Sequence, residues 1–393
     1  MGGVPSRDPY LLRVVEAKDE SLVAGPRLRK RMRLRVVPGG HAPRPRPGNN
    51  HQPSQAEVAR VAFRFLNRAE VQSLLPSTET LLEVIERGLV AHGAGEVVLP
   101  PKSHIQLDDR FNGHFNVLPG FVAPVRAAGV KVVGDYVDNY RVGLPSEVAM
   151  LTLYDPATGV PRCLMDATVL TWLRTGAVTG IGAKYLARPN SSVVAHLGAR
   201  GTALSNLTAL AALFPLREVR ITSKRHESRE RLAAEVRQTL GLDARPVDST
   251  EEALRGADIV VEATRLERAE VLVRESWLEP GALLVTYGWV MAIDPALPFR
   301  VDKLVVDDWA QCQHGGQLHP LIASGALRRE HVHAEIGEIV HGTRIGRAEP
   351  AERIIFWHRG FAISDIVLGA WIHAQAEAKG VGTMLTLWDG PDE

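Results

Sequence analysis

Two cations stand where charged side chains are unusual, and both are candidates to bind a carboxylate. Lys131 lies in the apolar run 130–133, an odd place for an ammonium unless an anionic group meets it. Arg174 opens a stretch of small residues, and a guanidinium can hold a carboxylate through two hydrogen bonds. The alternatives are a strand-edge lysine with its ammonium in water and a solvated helix arginine. If both side chains face inward, they form a site for a small acid.

A second chemical signal is the turn at residues 197–203. Gly198 ends the apolar run 193–197, and leucines at helical spacing follow at once. Such a strand, turn and helix aim backbone N–H groups at one point, where a phosphate can bind. The usual second glycine is Arg200, with Gly201 beside it, so an ordinary strand-to-helix turn is the alternative. The predicted dinucleotide contacts here are Gly198, Arg200, Gly201 and Thr202.

Strands alternate with helices after this turn, which predicts a parallel, doubly wound sheet. Further strands are predicted at 218–223, 245–248, 258–264, 282–288 and 303–307, and helices at 226–240 and after Ser249. Several strands are continuous apolar runs, as expected when both sheet faces are covered. Before the turn, a capped helix over 77–92 and a hairpin of strands 148–154 and 160–165 indicate an α+β part. A helix is predicted at 364–379, near the end of the chain.

Composition and charge limit the classes of protein. With 393 residues, 45% of them hydrophobic, the chain suggests two domains and a tail. A net charge of +1 argues against nucleic acid as a partner, and the lack of a long apolar run argues against a membrane span or secretory signal. Two distant cysteines, Cys163 and Cys312, predict neither disulfides nor a zinc site, and suit a reducing, cytoplasmic location. His314 and His319 lack a nearby acidic cluster, so no metal is predicted.

The first 55 residues differ in composition from the rest of the chain. They carry 11 Lys/Arg against four Asp/Glu and include a proline-rich stretch at 43–50. Such a segment buries little apolar surface, so we predict a disordered basic extension over 1–55. The alternative is a basic tail that touches an anionic surface.

Taken together, several stretches over residues 60–385 resemble the ornithine cyclodeaminase/mu-crystallin family. They are Leu99–Lys102, Gly129–Val133, Arg174–Ala177, Leu197–Ala203, Ala257–Thr264, Trp277–Ala282, Gly346–Arg347 and His358–Asp365. The resemblance implies a Rossmann-type, doubly wound α/β dinucleotide domain inserted in an α+β substrate and dimerisation domain. The expected boundaries are 56–183 for the first part of the substrate domain, 184–345 for the dinucleotide domain and 346–393 for the second part. A homodimer is expected.

The resemblance also implies roles for individual residues. It places Lys131 against the substrate carboxylate beside the reacting carbon, and Arg174 on the same carboxylate. Lys102 stands where the family usually has an arginine, so it keeps the charge but loses the planar fork. His358 stands where the family has a small hydroxyl residue near the nicotinamide, and is either a proton donor or a core-edge histidine. Asp365 opens the last helix and is interpreted as a helix-dipole partner.

The end of the second strand bears on cofactor choice. NAD-selective sites place a carboxylate there for the ribose hydroxyls, whereas this chain has Ser223, Lys224 and Arg225. These donors attract a 2′-phosphate, so NADP(H) is favoured over NAD(H), the alternative being a solvated loop. Thr264, Thr286 and Ser146 complete the predicted cofactor contacts, and Asn139 lies in the same region as Ser146. Both Asn139 and Ser146 are alternatively turn residues.

One departure from the family pattern bears on the reaction. Cyclodeaminases of the family carry an aspartate two residues after the glycine that ends the fifth strand, and here Val290 holds that place. Valine cannot pair with an ammonium, although Asp294, Asp135 or Asp138 could stand in. Trp289 and Met291 suggest an apolar or aromatic substrate side chain, unless both are core residues.

The sequence therefore favours an NAD(P)H-dependent oxidoreductase that reduces an α-imino acid or ketimine, or runs in reverse as an amino-acid dehydrogenase. Its small-molecule partner would be an amino or imino acid. The alternatives are an ornithine or lysine cyclodeaminase with recycled NAD, and a non-enzymatic NADPH-dependent binder.

Overall fold

The computed structural model describes residues 60–108 and 110–389, which form two eight-stranded sheets with helices packed on them. The strands are β1 Arg60–Leu66, β2 Val97–Val98, β3 Ser103–Gln106, β4 Gly113–Val122, β5 Ala127–Tyr136, β6 Glu147–Tyr154, β7 Pro161–Asp166, β8 Val193–Leu197, β9 Glu218–Thr222, β10 Asp243–Pro246, β11 Ile259–Glu262, β12 Leu283–Thr286, β13 Lys303–Val306, β14 Ala334–Glu335, β15 Ile354–Trp357 and β16 Thr383–Asp389. The α-helices are α1 Arg68–Ser73, α2 Thr78–Gly93, α3 Thr168–Leu186, α4 Ala203–Leu213, α5 His226–Leu240, α6 Thr250–Leu254, α7 Trp309–Cys312, α8 His319–Ala323, α9 Ile336–His341 and α10 Ala362–Lys379. Short 3₁₀ helices lie at Val137–Val142, Glu275–Trp277, Leu297–Phe299 and Arg329–His331.

The first sheet is largely antiparallel, in the order β16-β1-β7-β6-β5-β4-β2, with β3 paired to β4. Its strands alternate: in β5, Ala127, Lys131 and Val133 are buried, while Val132 between them is exposed. This period of two gives the sheet one covered face and one open face. Helix α10 packs closely over the covered face, since a Cβ on Gly129 would lie 2.9 Å from Ile366.

The second sheet is entirely parallel, in the order β10-β9-β8-β11-β12-β15-β13-β14. Strands β11, β12 and β15 are buried at every position, as expected for strands covered on both faces. The order reverses between β8 and β11. A ligand crevice is expected at the carboxyl ends of strands beside such a reversal.

The structure shows two features of chain organisation that the sequence did not reveal. Strand β15 lies between β12 and β13 in the parallel sheet. Residues 354–357 therefore pack with the dinucleotide domain, whose end was predicted at residue 345. The chain also continues past the last helix into β16, which pairs with β1 and was not predicted. The division into domains remains a prediction, and the extension over 1–55 lies outside the described residues. No helix in the described ranges is both long and apolar enough to cross a membrane.

Glycines bring α3 and α4 into close contact. A Cβ on Gly180 would lie 2.9 Å from the Cβ of Ala209, and one on Gly176 would collide with the backbone of Ser205. Gly182 in turn makes room for the ring of Phe356 in β15. One apolar core therefore runs without a break from the covered face of the first sheet, through α3 and α4, to the second sheet.

Candidate active site

Lys131 lies at the centre of a charged cluster with no exposed surface of its own. Its register partners are Leu118 on β4 and Leu151 on β6, both buried, so the side chain faces the core. The ammonium donates to Asp365 Oδ1 at 2.7 Å and to Thr171 Oγ1 at 3.2 Å. The alternative of a strand-edge lysine in water is wrong.

Burial and the nearby Arg174 guanidinium lower the pKa of Lys131 to about 8, against the opposing pull of Asp365. An amine with this pKa exchanges its proton near neutral pH, which an ordinary lysine does not. Lys131 is therefore chemically suited to give or take a proton as well as to carry charge.

Arg174 shares Asp365 with Lys131. Its Nε lies 3.1 Å from Asp365 Oδ1, and its guanidinium packs against Gly360, where a side chain would collide with it. Asp365 Oδ2 is buried without a hydrogen-bond partner, whereas Arg174 Nε, which also lacks a hydrogen bond, has its ion-pair contact with Oδ1. Buried polar atoms are normally satisfied, so Asp365 Oδ2 indicates that a polar ligand completes the cluster.

Asp365 was interpreted from the sequence only as a helix-dipole partner. It does lie in the first turn of α10, but its carboxylate is fully enclosed between Lys131 and Arg174. A carboxylate between two cations offsets their mutual repulsion and holds both in place. Asp365 is thus a structural centre of the site that sequence reasoning undervalued.

Lys102 reaches the same region from the loop before β3. Its Nζ donates to the carbonyl of Arg359 at 2.8 Å, and its backbone N–H donates to Gln311 Oε1 at 2.9 Å. Burial, followed by the charges of Arg359, Arg174 and Lys131, lowers the pKa of Lys102 well below its usual value. The structure therefore brings Lys102 together with the two predicted carboxylate ligands.

His358 is buried in the core edge and is not placed as an acid. Its Nε2 lies 3.2 Å from Thr179 Oγ1, and its ring packs on Tyr287 and Phe356 at centroid distances of 4.6 and 5.2 Å. Burial, with Arg174 and Lys102 nearby, lowers the pKa of His358 to about 3. The neutral imidazole is not the proton donor that was one of the two interpretations from the sequence. The assignment of His358 as a catalytic residue is therefore corrected.

The turn between β8 and α4 has the backbone that a phosphate site needs. Gly198 has φ of +97°, and a Cβ there would lie 2.6 Å from the carbonyl of Ala263, so only glycine fits. A Cβ on Gly201 would meet open space, and Thr202 at the helix start makes no side-chain cap. The N–H groups of the first turn of α4 are thus not capped by that side chain, and Arg200 lies in the same turn. These residues fit a dinucleotide pyrophosphate.

Tyr287 links this turn to the carboxylate site and was not singled out from the sequence. Its hydroxyl lies 2.7 Å from Thr202 Oγ1 and 2.6 Å from Asn206 Nδ2, and its ring packs on His358. Burial raises the pKa of Tyr287 to about 12, so the phenol stays protonated. The residue directly follows β12, which is the one sequence signal that could have identified it.

The end of β9 presents the donors that the sequence predicted there. Ser223 is half-buried and donates to the carbonyl of Arg225 at 2.9 Å. Lys224 and Arg225 are exposed just before α5. No acidic side chain occupies this strand end, in contrast to the usual ribose-binding carboxylate.

Thr264 and Thr286 are organised by Glu262, a fully buried carboxylate that sequence reasoning missed. Glu262 accepts from Thr264 N at 2.9 Å, from Thr286 Oγ1 at 2.7 Å and from Gln317 Nε2 at 3.0 Å. Thr286 has no exposed surface, so the predicted contact of its side chain with a cofactor is corrected to support of Glu262. Thr264 remains half-buried at the crevice.

The segment before β6 holds the remaining predicted contacts. Ser146 is half-buried, and its carbonyl accepts from Tyr136 N at 2.8 Å. Asn139 donates to the carbonyl of Pro145 at 2.9 Å, which is a turn role. Neither side chain is placed against the charged cluster by a hydrogen bond.

Val290 lies in the loop after β12, and the acidic residues that could replace its missing carboxylate are engaged elsewhere. Asp294 accepts from Ala296 N at 2.9 Å as a local cap. Asp135 pairs with Arg265, and Asp138 pairs with Asn112 and Arg141 on the surface. No nearby carboxylate is left unpaired among these three to receive a substrate ammonium.

A histidine and two carboxylates lie together at the start of α7. His92, Asp308 and Glu335 offer possible ligand atoms within 4.8 Å of one another. One oxygen of each carboxylate accepts a backbone N–H, from Gln311 and Trp309 respectively, and the others lie 3.3 and 3.9 Å from His92 Nε2. Backbone hydrogen bonds hold the two carboxylates, and the absence of a metal remains a prediction.

The fold and site define a dinucleotide-binding protein with a separate site for a small acid. Residues 62–380 match the model of the ornithine cyclodeaminase/mu-crystallin family, to which this chain belongs. It is 32% identical to alanine dehydrogenase of Archaeoglobus fulgidus over 325 residues, which cover 82% of this chain and 97% of that protein.

Two solved structures share the fold at similar identity. The Δ1-pyrroline-2-carboxylate reductase of Thermococcus litoralis, in complex with NADH and L-proline, is 30% identical with a TM-score of 0.77, covering 82% of this chain and 99% of that one. An archaeal alanine dehydrogenase dimer with bound NAD is 31% identical with a TM-score of 0.76, covering 83% and 100%. The family resemblance and the fold class expected from the sequence are confirmed.

Proposed function

We propose that this protein is an NAD(P)H-dependent oxidoreductase that reduces the C=N bond of an α-imino acid, or in reverse oxidises an amino acid. The enclosed cluster of Lys131, Arg174 and Asp365 carries this proposal. It combines cations for a carboxylate, an amine with a pKa of about 8 and a buried carboxylate oxygen without a hydrogen-bond partner, Asp365 Oδ2. The solved relative that holds NADH and L-proline supports a cyclic or open imino acid as substrate.

The carboxylate of the substrate binds to Arg174 and Lys102, whose charges it offsets. Positioning of this kind lowers the barrier because the reacting carbon is held in one orientation. Lys131 has no exposed surface, so a substrate reaches it only when neighbouring side chains move. Once in contact, its ammonium gives a proton to the amine nitrogen as reduction leaves an electron pair there, and Asp365 holds the ammonium in place.

The turn at Gly198 and Gly201, with Arg200, Thr202 and the start of α4, holds the pyrophosphate of the cofactor. When bound, the nicotinamide supplies a hydride to the imine carbon. A line of contacts runs from Thr202 through Tyr287 and His358 toward Gly360 and Arg174. These contacts support the proposal that the cofactor and the substrate carboxylate share one crevice.

We further propose that NADP(H) is preferred over NAD(H). The support is the strand end at Ser223, Lys224 and Arg225, where a hydroxyl and two cations can bind a 2′-phosphate. An acidic side chain at this place would repel that phosphate. The solved relatives were found with NADH and NAD, so the preference is a property proposed for this chain.

A homodimer through the open face of the first sheet completes the proposal. Val132 and Met150 are cross-strand partners on that face, and with Val148 they are exposed. The edge strand β16 of the same sheet exposes Met384 and Trp388. Exposed apolar patches of this kind mark interfaces. Light scattering tests the dimer, and Met150→Glu is expected to give monomers.

Turnover assays test the reaction. Purified protein is given NADPH or NADH, a 2-oxo acid and ammonia or methylamine, and cofactor oxidation is followed by absorbance. Consumption of cofactor that needs both acid and amine supports imine reduction. Ammonia release from ornithine with no net cofactor change would instead indicate a cyclodeaminase. Cofactor binding without any turnover would indicate a binding protein.

A further inference from the structure

Arg359 places a further buried cation near Lys102, on which its charge acts together with those of Arg174 and Lys131. Its Nη1 donates to the carbonyl of Gln311, and its Nη2 lies 3.4 Å from His104 Nε2. Its guanidinium carbon lies 5.4 Å from the ring centre of Trp289. The residue is only 9% exposed, so its charge is largely removed from water.

The guanidinium has a neutral neighbour, His104, and a buried carboxylate nearby, Asp307, whose charge opposes the lowering of the Arg359 pKa by burial. Burial and the charges of Lys102 and Arg359 lower the pKa of His104 to about 4, so the imidazole is uncharged at neutral pH. Asp307 is close, but it accepts the backbone N–H groups of Arg359 and Gly360 at 2.6 and 2.8 Å. Among the residues that the structure describes, no carboxylate forms an ion pair with the Arg359 side chain or with Lys102 Nζ.

The local backbone is shaped to hold this arginine. Gly315 and Gly316 have φ of +137° and +91°, and a Cβ on Gly316 would lie 2.8 Å from Arg359 Nε. A Cβ on Gly315 would lie 2.6 Å from the Trp289 ring. Two glycines in the left-handed region thus make room for the guanidinium and the indole together. Asp307 offsets part of the charge on Lys102 and Arg359, and an anionic ligand would offset more of the cost of burying both cations.

We propose that Arg359 binds a second carboxylate, carried on the side chain of the substrate, so that the protein acts on dicarboxylic imino and amino acids. The inference rests on the proposed function, in which Arg174 and Lys102 bind the α-carboxylate. Lys102 lies between the two groups of cations. The planar guanidinium of Arg359 would donate to the second carboxylate through its forked N–H groups. The ring of Trp289 packs over the guanidinium.

This proposal revises the sequence-based expectation of an apolar or aromatic side chain. Trp289 is present, but it stacks on a cation and is 55% exposed, so it is not a core residue. Val290 in the same loop offers no negative charge to an ammonium. The loop and the arginine together disfavour a diamine and favour a diacid.

Binding of amino acids tests the inference without requiring turnover. Titration calorimetry with NADP⁺ present compares L-aspartate and L-glutamate with L-alanine. We expect one of the diacids to bind about 100-fold more tightly than L-alanine, because a buried charge pair is gained. Arg359→Met removes this preference while L-alanine binding is little changed, and Arg359→Lys restores part of it. Arg300→Met, an exposed arginine far from the crevice, keeps the preference.

Other outcomes overturn the inference. Equal affinity of the wild-type protein for L-alanine and both diacids would do so even if Arg359→Met fails to fold. If free acetate strengthens L-alanine binding and neither diacid binds more tightly than L-alanine, then Arg359 binds a separate anion and not the side chain of the substrate. If diacids bind through Arg359 but no imine is reduced, the proposed reaction fails while the carboxylate subsite stands.

Discussion

The Lys131 ammonium lies 2.7 Å from Asp365 Oδ1, and both side chains are enclosed by protein. The pair joins the middle of β5 to the first turn of α10, 234 residues apart in the chain. Arg174 approaches the same oxygen, so one carboxylate balances two cations. This arrangement makes the site a part of the core as well as a place for chemistry.

Asp365→Asn is expected to lower both stability and turnover. The amide leaves two buried cations without their shared anion, which costs about 3–5 kcal/mol of unfolding free energy. Denaturant titration measures the loss, and Asp365→Glu is the control that keeps the charge. Unchanged stability together with full turnover would show that Asp365 neutralises neither cation.

Lys131→Met is expected to abolish turnover while cofactor binding stays nearly intact. The lysine belongs to the first sheet, whereas the nucleotide turn follows β8 in the second. Loss of a buried charge contact raises the activation free energy for kcat/KM by about 2–5 kcal/mol. The value of kcat/KM then falls roughly 30-fold to several thousand-fold. Cofactor titration and steady-state kinetics on one preparation separate the two effects. Retention of more than half of the wild-type activity would remove Lys131 from the mechanism.

The pH dependence of reduction is expected to follow the Lys131 ammonium. Its pKa is lowered to about 8 by burial and Arg174, so the proton donor is present below pH 8 and is lost as the pH rises through that value. Reductive kcat/KM should therefore fall above pH 8, and amino-acid oxidation, which needs the neutral amine, should rise. A profile that is flat through pH 8 in both directions would contradict the assignment.

Ser223→Asp is expected to change the cofactor preference from NADPH to NADH. The wild-type strand end is proposed to favour NADPH, and a carboxylate there would repel the 2′-phosphate and accept hydrogen bonds from the ribose hydroxyls. Loss of charge-assisted hydrogen bonds should weaken NADPH binding about 10- to 100-fold. Fluorescence titrations with both cofactors measure the change, with Ser223→Ala as the control. Tighter binding of NADH than NADPH by the wild-type protein would reverse the proposal.

Ornithine and lysine are expected not to be cyclised. An ammonium beside Val290 would have no carboxylate partner, and an unpaired buried charge costs several kcal/mol. Incubation with NAD and either diamine should give neither ammonia nor a cyclic imino acid. Stoichiometric proline from ornithine would mean that Asp294, Asp135 or Asp138 leaves its present partner.

Local sequence patterns predicted the helices and strands well, but they did not predict contacts between segments that are distant in the chain. The helix predicted at 226–240 spans the same residues in the structure, because its amphipathic period and flanking residues are local. The third strand of the parallel sheet was predicted two residues late, since a short strand with a proline has weak periodicity. Strand β15 follows β12 in space but not in sequence, and no local signal reveals that.

The same distinction between local and long-range information applies to the residues of the site. Lys131 and Arg174 were identifiable because each is an odd residue in its own segment. Arg359 and Glu262 look ordinary in sequence, and their importance arises only from burial beside Lys102 and Thr286. His358 was assigned chemistry that its enclosed position removes.

The glycine contact between α3 and α4 has a consequence for reactivity. Arg174 precedes Gly176 on α3, and the nucleotide turn leads directly into α4, where Ser205 touches Gly176. The distance between Arg174 and the nucleotide turn is therefore held by a contact with main-chain atoms, which do not change rotamer as side chains do. On the proposed function, Gly176 would thus help to fix the separation of the acid site and the cofactor site without contacting either ligand.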